Sequence, residues 1–409
     1  MKQLLTIALM GIAMITQAQE PLYVGGDISL LPKYEEAGVV YKDKEGQTVS
    51  DVLAFFRQQG QNAMRVRLFV SPDGSDKAVC QDLDYVKALG KRIKDAGLKL
   101  MLDFHYSDTW ADPAKQWTPA AWQDLNNDQL QDKIYEYTKD CLQQMKAAGA
   151  EPDFIQTGNE ISYGMLWGKS GTTANRCYTN SSDANWNRFL SLLKKAGQAC
   201  REECPQARII IHSERVPKPD VLTDFFDRMK AGGIDYDIIG LSYYPAFHGN
   251  LSTLETALTA LERKQYGKDM MIVETGYSYA WALGGTEYDY TKTYPYSEEG
   301  QRQFTADLVA KLKSHPGVKG LFWWWPEDNG NKQVTNNWWN AALYDHNSGQ
   351  PYAAFYELSA FAQGSTAITA PQAKPQCSQG WYSLQGTPLS GQPSHPGVYI
   401  RNGQAVIVR

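Results

Sequence analysis

The apolar residues of this chain follow two alternating periods. Short, nearly continuous apolar runs recur near residues 22–26, 63–69, 98–104, 154–158, 209–212, 238–243, 271–274 and 320–325. Runs of that length, bounded by turn residues, read as buried strands. Between them, residues 52–59, 84–96, 130–147, 186–202, 221–229, 254–263 and 298–313 place apolar side chains three and four apart, the spacing of a helix with one buried face. Gly60, Gly97, Gly149, Gly267 and Gly317 follow helical runs and precede strands, where a helix C-terminus favours glycine. Strands and helices alternating eight times over about 340 residues predict the α/β class and a (β/α)8 TIM barrel. An open doubly wound sheet is the alternative, but it lacks its usual glycine-rich phosphate loop after the first strand.

The pattern breaks at both ends. Lys2, an apolar stretch from Leu4 to Ile15 and the small residues of Thr16-Gln-Ala18 read as a signal peptide over residues 1–18. That stretch is too short to span a bilayer, so export without membrane insertion is expected. The expected destination is extracellular or the cell surface, with the periplasm as the alternative. After Glu357 the remaining 52 residues contain no Asp or Glu. The expected division is a catalytic barrel over 19–361, a linker over 362–376 rich in Ala, Gln, Thr and Pro, and a β tail over 377–409. Arg401-Asn-Gly403 reads as the turn of a hairpin in that tail.

Composition narrows the function. A net charge of -5 argues against a nucleic-acid partner. The 12 Trp and 24 Tyr exceed what a core needs, and ring faces suit sugars. Cys80, Cys141, Cys177, Cys200, Cys204 and Cys377 suit an oxidising compartment, as disulfides or free thiols, and no metal ligation is expected of them. Two long loops, 106–125 and 275–295, carry many of the aromatics, either as sugar platforms or packed on one another.

Chemistry on a barrel belongs to the C-terminal ends of its strands. Two of these ends carry glutamates 114 residues apart, Glu160 in Asp153-Phe-Ile-Gln-Thr-Gly-Asn-Glu-Ile161 and Glu274 in Met270-Met-Ile-Val-Glu274. A pair of carboxylates is the minimum equipment for cleaving a glycosidic bond. Glu160 is expected to be the acid/base, beside Asn159. Glu274 is expected to be the nucleophile, kept ionised by Arg65 or Arg67 and by Tyr243 or Tyr244. Asp103, His105, Asp108, Trp110, His212, Trp323 and Trp325 complete the candidate set as binding or orienting residues, with no metal site.

Five stretches then carry a family resemblance: Gly26-Asp-Ile-Ser-Leu30, Met64-Arg-Val-Arg-Leu-Phe-Val-Ser-Pro72, Asp103-Phe-His-Tyr-Ser-Asp-Thr-Trp-Ala-Asp-Pro113, Thr157-Gly-Asn-Glu-Ile161 and Val273-Glu-Thr-Gly-Tyr-Ser278. Together they closely resemble glycoside hydrolase family 53, the endo-β-1,4-galactanases, over roughly residues 22–356. The resemblance implies retaining cleavage of β-1,4-galactan in type I arabinogalactan and pectin side chains. It also implies Glu160 as acid/base and Glu274 as nucleophile. Some members hold calcium in the loop after the seventh strand. Here Ala280-Trp-Ala-Leu-Gly-Gly-Thr-Glu-Tyr-Asp-Tyr290 lacks a cluster of hard oxygen ligands, so no cofactor is expected. The Pro-Gly-Val-Tyr-Ile-Arg-Asn-Gly pattern near the C-terminus resembles sorting tails of the type IX secretion system of Bacteroidetes. A monomer acting on β-1,4-galactan polysaccharide and oligosaccharides is expected. The competing readings are a mannanase or cellulase of the same clan, a sugar-binding barrel without activity, and a metal hydrolase built on His105 and His212.

Overall fold

The computed structural model describes residues 21–178, 183–335, 338–363, 381–383, 388–389, 391–401 and 404–408. The expected signal peptide and residues 364–376 of the expected linker lie outside the described residues, as does Cys377. The chain divides into two compact units, one spanning Glu20–Gly364 and the other containing Ser365–Arg409.

The larger unit is a closed barrel of eight parallel strands in sequential order. They are β1 (Tyr23–Asp27), β2 (Ala63–Leu68), β3 (Lys99–Phe104), β4 (Phe154–Thr157), β5 (Arg208–Ser213), β6 (Ile238–Tyr243), β7 (Asp269–Thr275) and β8 (Val318–Trp324), with β8 pairing back to β1. The outer helices are α1 (Leu31–Glu36), α2 (Val52–Gln58), α3 (Leu83–Asp95), α4 (Asn127–Ala147), α5 (Asp183–Glu203), α6 (Pro219–Ala231), α7 (Pro245–His248), α8 (Leu251–Lys264), α9 (Glu298–Lys313) and α10 (Ala353–Ser359). The seven helices read from the sequence are present. The short α1, α7 and α10 are additions of four to seven residues. Local chemistry starts the longer ones: Asp82, Asn126, Asn250 and Ser297 each accept a backbone N–H in the first turn of the helix they precede.

Inside the barrel, one apolar residue from nearly every strand meets the others: Ala63, Met101, Phe154, Ile210, Ile238, Met271, Val273 and Phe322. Side chains alternate across a strand, so the residue two positions later also points inward. That step carries Ala63 to Arg65, Met101 to Asp103, Phe154 to Gln156 and Ile210 to His212. The barrel lumen is thus apolar at its floor and fully buried but polar one layer higher. β1 reaches this arrangement through glycine, because a Cβ on Gly25 would sit 1.7 Å from the carbonyl oxygen of Ala63.

The alternation is interrupted at two strands. Pairing of β6 with β7 shifts register between Leu241 and Ser242, and that of β7 with β8 shifts between Ile272 and Thr275. Val273 faces the lumen, so strict alternation would send Glu274 outward. The irregularity re-aims it, as bulges near active sites do.

The smaller unit contains a four-stranded antiparallel sheet, β9 (Trp381–Tyr382), β10 (Pro388–Leu389), β11 (Gly397–Arg401) and β12 (Gln404–Val408), in the order β10-β9-β11-β12. Arg401 pairs with Gln404, consistent with the expected hairpin register, while Asn402 and Gly403 lie outside the described residues. The five cysteines among the described residues are free thiols. Among the described residues no helix is long and apolar enough to cross a membrane.

Candidate active site

A cavity of about 340 Å³ opens at the C-terminal end of the barrel. Glu160, Glu274, Asn159, Trp110, Tyr244 and Trp325 line it, all of them expected from the sequence. Trp324, Trp338, Phe247, His248 and Glu214 line it too.

Beneath the cavity floor lies one connected set of charges. Arg65 is fully buried, with Nη1 2.9 Å from Asp27 and Nη2 2.7 Å from Asp103 and 2.9 Å from Glu274 Oε1. Its Nη2 also donates to Asn159 Oδ1 at 2.9 Å. Arg67, on the same face of β2, pairs with Asp27 at 2.6 Å. Its guanidinium lies 4.9 Å from the ring centre of Trp110, 4.8 Å from that of Trp324 and 5.4 Å from that of Trp325. The two arginines therefore differ in task. Arg65 reaches a candidate catalytic carboxylate, and Arg67 supports the indoles above it through cation–π contact. Burial alone would raise the Asp103 pKa, but Arg65 and His105 hold it below its ordinary value.

Glu274 has a cation at one oxygen and a hydrogen-bond donor at the other. Arg65 stands at Oε1, and the Tyr244 hydroxyl donates to Oε2 at 3.1 Å. Burial pushes its carboxyl up to about 7, with Arg65 pulling it back and the charges on Asp103 and Asp27 opposing that. Glu160 has no cation within ion-pairing distance among the described residues. Burial first, then the charges of Glu274 and Glu214, hold its carboxyl well above the ordinary range. A neutral relay serves it instead: Ser242 Oγ donates to Glu160 Oε1 at 2.6 Å, and His212 Nε2 lies 2.8 Å from that Oγ. The Glu160 backbone N–H points at His212 Nδ1 at 3.3 Å, so the imidazole bridges the backbone and the Ser242 hydroxyl of this relay. Burial and the Arg65 charge keep this histidine neutral by lowering its pKa well below its ordinary value.

The backbone at Glu160 is held in the left-handed region, with φ 48°. Two loop contacts hold the preceding residue. Gln116 Nε2 donates to the Asn159 carbonyl at 2.7 Å, and Asn159 Nδ2 donates to the Ala111 carbonyl at 2.8 Å. His105 sits below, its Nδ1 accepting from Ala111 N–H at 3.1 Å and its Nε2 3.2 Å from Asp103. It orients the loop after β3 and does not line the cavity.

Two expectations need correction. Trp323 faces away from the lumen and donates its indole N–H to the Ala341 carbonyl at 2.8 Å; Trp324, one residue on, is the indole at the cavity. Tyr243 likewise points outward and donates to the Gly249 carbonyl at 3.0 Å. Asp108 accepts the N–H groups of Ser71 and Ala120 at 3.1 and 2.7 Å, so of the two roles expected for it, it takes the orienting one, bracing the loop after β3. The residues missed were legible in part. Counting by twos from Phe322 and Ile238 gives Trp324 inward on β8 and Ser242 inward on β6. Glu214 stood at a strand end, whereas Trp338 is brought in by a distant loop that no local pattern marks.

The comparisons with known proteins fit this geometry. The family model described as Glycosyl hydrolase family 53 matches residues 23–357, the whole barrel. The chain belongs to glycosyl hydrolase family 53. A relative, the "Probable arabinogalactan endo-beta-1,4-galactanase A" of Neosartorya fischeri, is 34% identical over 74% of this chain and 83% of its own length. The family 53 catalytic domain of Ignisphaera aggregans superposes with a TM-score of 0.73 at 30% identity, covering 83% of this chain and 95% of the other. A structure from a study of two fungal β-1,4-galactanases gives 0.71 at 30% identity, covering 83% and 99%.

Proposed function

We propose that this family 53 protein is an exported endo-β-1,4-galactanase that cleaves galactan side chains of type I arabinogalactan and pectin with retention, acting as a monomer. Glu274 is the nucleophile and Glu160 the acid/base. Membership of the family and the names of its relatives support the substrate. The observation that carries the roles is the contrast within one cavity: Glu274 beside a guanidinium, Glu160 beside a neutral relay and without a cation.

In the first step a Glu274 oxygen attacks the anomeric carbon as the glycosidic C–O bond breaks. Glu160 gives its proton to the leaving oxygen, and the sugar remains as an ester on Glu274. In the second step Glu160, now ionised, takes a proton from water. The oxygen of that water attacks the anomeric carbon, the ester C–O bond breaks and the Glu274 carboxylate returns. Asn159, tied to Arg65 and Ala111, stands where it can hold a sugar hydroxyl. Trp110, Trp324 and Trp325 offer ring faces to the sugars.

Calcium is not assigned a role. The loop at 275–295 supplies only Glu287 and Asp289 as carboxylates, and Asp289 Oδ1 accepts the Thr291 N–H. The residues present do not fit a calcium cage.

The test is reducing-sugar release from β-1,4-galactan, β-mannan and carboxymethylcellulose in parallel, with Glu274→Gln alongside. Release from galactan alone, lost in the variant, is expected. Release from mannan or cellulose instead would move the specificity to a neighbouring family of the clan.

A further inference from the structure

The cleft continues past the two glutamates. A second cavity of about 510 Å³ adjoins the first and shares Pro113, Glu214 and His248 with it. Its outer wall is cationic, with Arg176 from the loop after β4 and Arg215 and Lys218 from the loop after β5. One ring organises both arginines: the guanidinium of Arg176 lies 4.4 Å, and that of Arg215 3.9 Å, from the centre of Tyr163. Arg176 also lies 4.7 Å from the ring centre of Trp167. Stacking on rings fixes a guanidinium without using its N–H groups.

Arg215 Nε donates to Ser162 at 2.9 Å, whereas the N–H groups of Arg176 are largely unclaimed. Among the described residues the Arg176 guanidinium donates one hydrogen bond, a long one of 3.4 Å from Nη2 to the Pro113 carbonyl, and its buried Nε has no partner. Neither Arg176 nor the exposed Lys218 forms an ion pair with a described carboxylate. Glu214, the carboxylate in this wall, is already engaged, accepting from Ser162 at 2.5 Å and standing 3.0 Å from Arg215. His248 adds no charge near neutral pH, because burial lowers its pKa to about 4. An excess of positive charge in a cleft of a protein with net charge -5 is a local feature, not a consequence of composition.

The position sets which side of the cut this cavity serves. Glu160 must face the leaving oxygen to protonate it. Tyr163 and Arg176 follow Glu160 on the same β4–α5 segment, and Glu214 to Lys218 follow the neighbouring strand. The indoles of Trp324 and Trp325 come from β8 and its end, beside Glu274's other neighbour in the barrel.

We infer that the second cavity is a leaving-side subsite for a carboxylate-bearing sugar, so that the enzyme favours galactan chains joined on that side to a uronic or aldonic acid unit. This rests on the galactanase reading above. A neutral galactose needs no unpaired guanidinium. A carboxylate matches the planar fork of one in geometry and charge.

The experiment compares β-1,4-galactohexaose with the same oligosaccharide oxidised at its reducing end to the aldonate, using the full chain at low and high salt. The expected result is a kcat/KM about three- to tenfold higher for the aldonate, the size of one or two partly exposed charge contacts. Cleavage should move toward the charged end, and the advantage should vanish at high salt. Arg176→Gln and Lys218→Ala should each bring the ratio toward one. Lys218 is exposed, so its variant reports even if loss of the Arg176 stack harms folding. A wild-type ratio of one, or an advantage that survives both substitutions, overturns the inference. Calorimetric binding of galactonate-terminated galactobiose, against neutral galactotriose, to the Glu274→Gln protein reads the same preference without turnover. If neither hexaose is cleaved, the galactanase reading fails and this binding comparison still decides the subsite.

Discussion

Glu160 and Glu274 are the same residue type at the ends of two strands of one barrel, and their surroundings are opposite. Glu274 is built into the charged layer of the lumen, with Arg65 at one oxygen and Tyr244 at the other. Glu160 stands outside that layer on a left-handed residue, and among the described residues its carboxyl accepts a hydrogen bond only from the Ser242 hydroxyl, which in turn meets His212 Nε2. Burial raises both carboxyls, but a guanidinium opposes it only at Glu274. Two carboxylates gain distinct roles when their environments separate their pKa values. Here the separation comes from which strand carries the arginine. The positive charge is on β2, and Arg65 Nη2 reaches Glu274 on β7 and the Asn159 amide after β4, but not the Glu160 carboxylate.

The largest consequence is in the chemistry. Glu274→Gln should lower kcat by about 10⁴-fold or more whatever the leaving group, since no other group forms the ester. Glu160→Gln should cost about 10²- to 10⁴-fold on galactan, the usual worth of a general acid. That cost should shrink in the glycosylation step of an aryl galactobioside whose phenol leaves without a proton. Pre-steady-state release of the phenol measures it. An equal loss for both variants on the aryl substrate would erase the distinction between the two sites.

The next effect is on stability. Arg65→Gln leaves Asp27, Asp103 and Glu274 around a neutral side chain in a buried layer. Breaking such a network costs about 3–5 kcal/mol. The matching change beside Glu160, Ser242→Ala, removes one hydrogen bond and should cost about 1 kcal/mol. Urea unfolding at neutral pH measures both. Comparable costs would mean that the charged layer is no more important to the fold than the neutral relay.

How much of this contrast is readable in the sequence depends on the range of the pattern involved. All eight strands and seven of the helices follow from apolar spacing, because burial of one face is written locally. Arg65, Asp103 and His212 are legible as polar residues in otherwise apolar strands, which only a polar lumen or a site explains. The errors at Trp323 and Tyr243 arose from reading an aromatic cluster as a unit when a strand sends neighbours to opposite faces. Glu274 shows the reverse. Strict alternation would have pointed it outward, and the register shifts in β6–β7 and β7–β8 that turn it inward leave no mark in spacing. The two aromatic loops also divide. The loop after β3 sends Trp110 to the cavity. In the loop after β7, Tyr277 packs on Phe304 and Tyr279 on Tyr352, and none of its aromatics lines the catalytic cavity. The first loop holds four rings and the second six, so ring count does not say which reaches the cavity, and only tertiary packing tells them apart.

The smallest effect is the most discriminating. Tyr244→Phe and Ser242→Ala each remove one donor from a carboxylate oxygen. A donor favours the charged form, so each loss raises the pKa of the glutamate it served. A hydrogen bond of about 1 kcal/mol corresponds to about 0.7 of a pH unit. The direction is the same, but the roles are not. Glu274 works ionised, so a higher pKa moves the acid limb of kcat/KM upward and narrows the profile from below. Glu160 works protonated, so a higher pKa moves the alkaline limb upward and widens the profile from above. The limbs belong to the interacting pair, and each variant should still move one limb more than the other. A profile of kcat/KM on galactan for the two variants and wild type reads both shifts at once. If Tyr244→Phe moved the alkaline limb and Ser242→Ala the acid limb, the two glutamates would have to exchange roles.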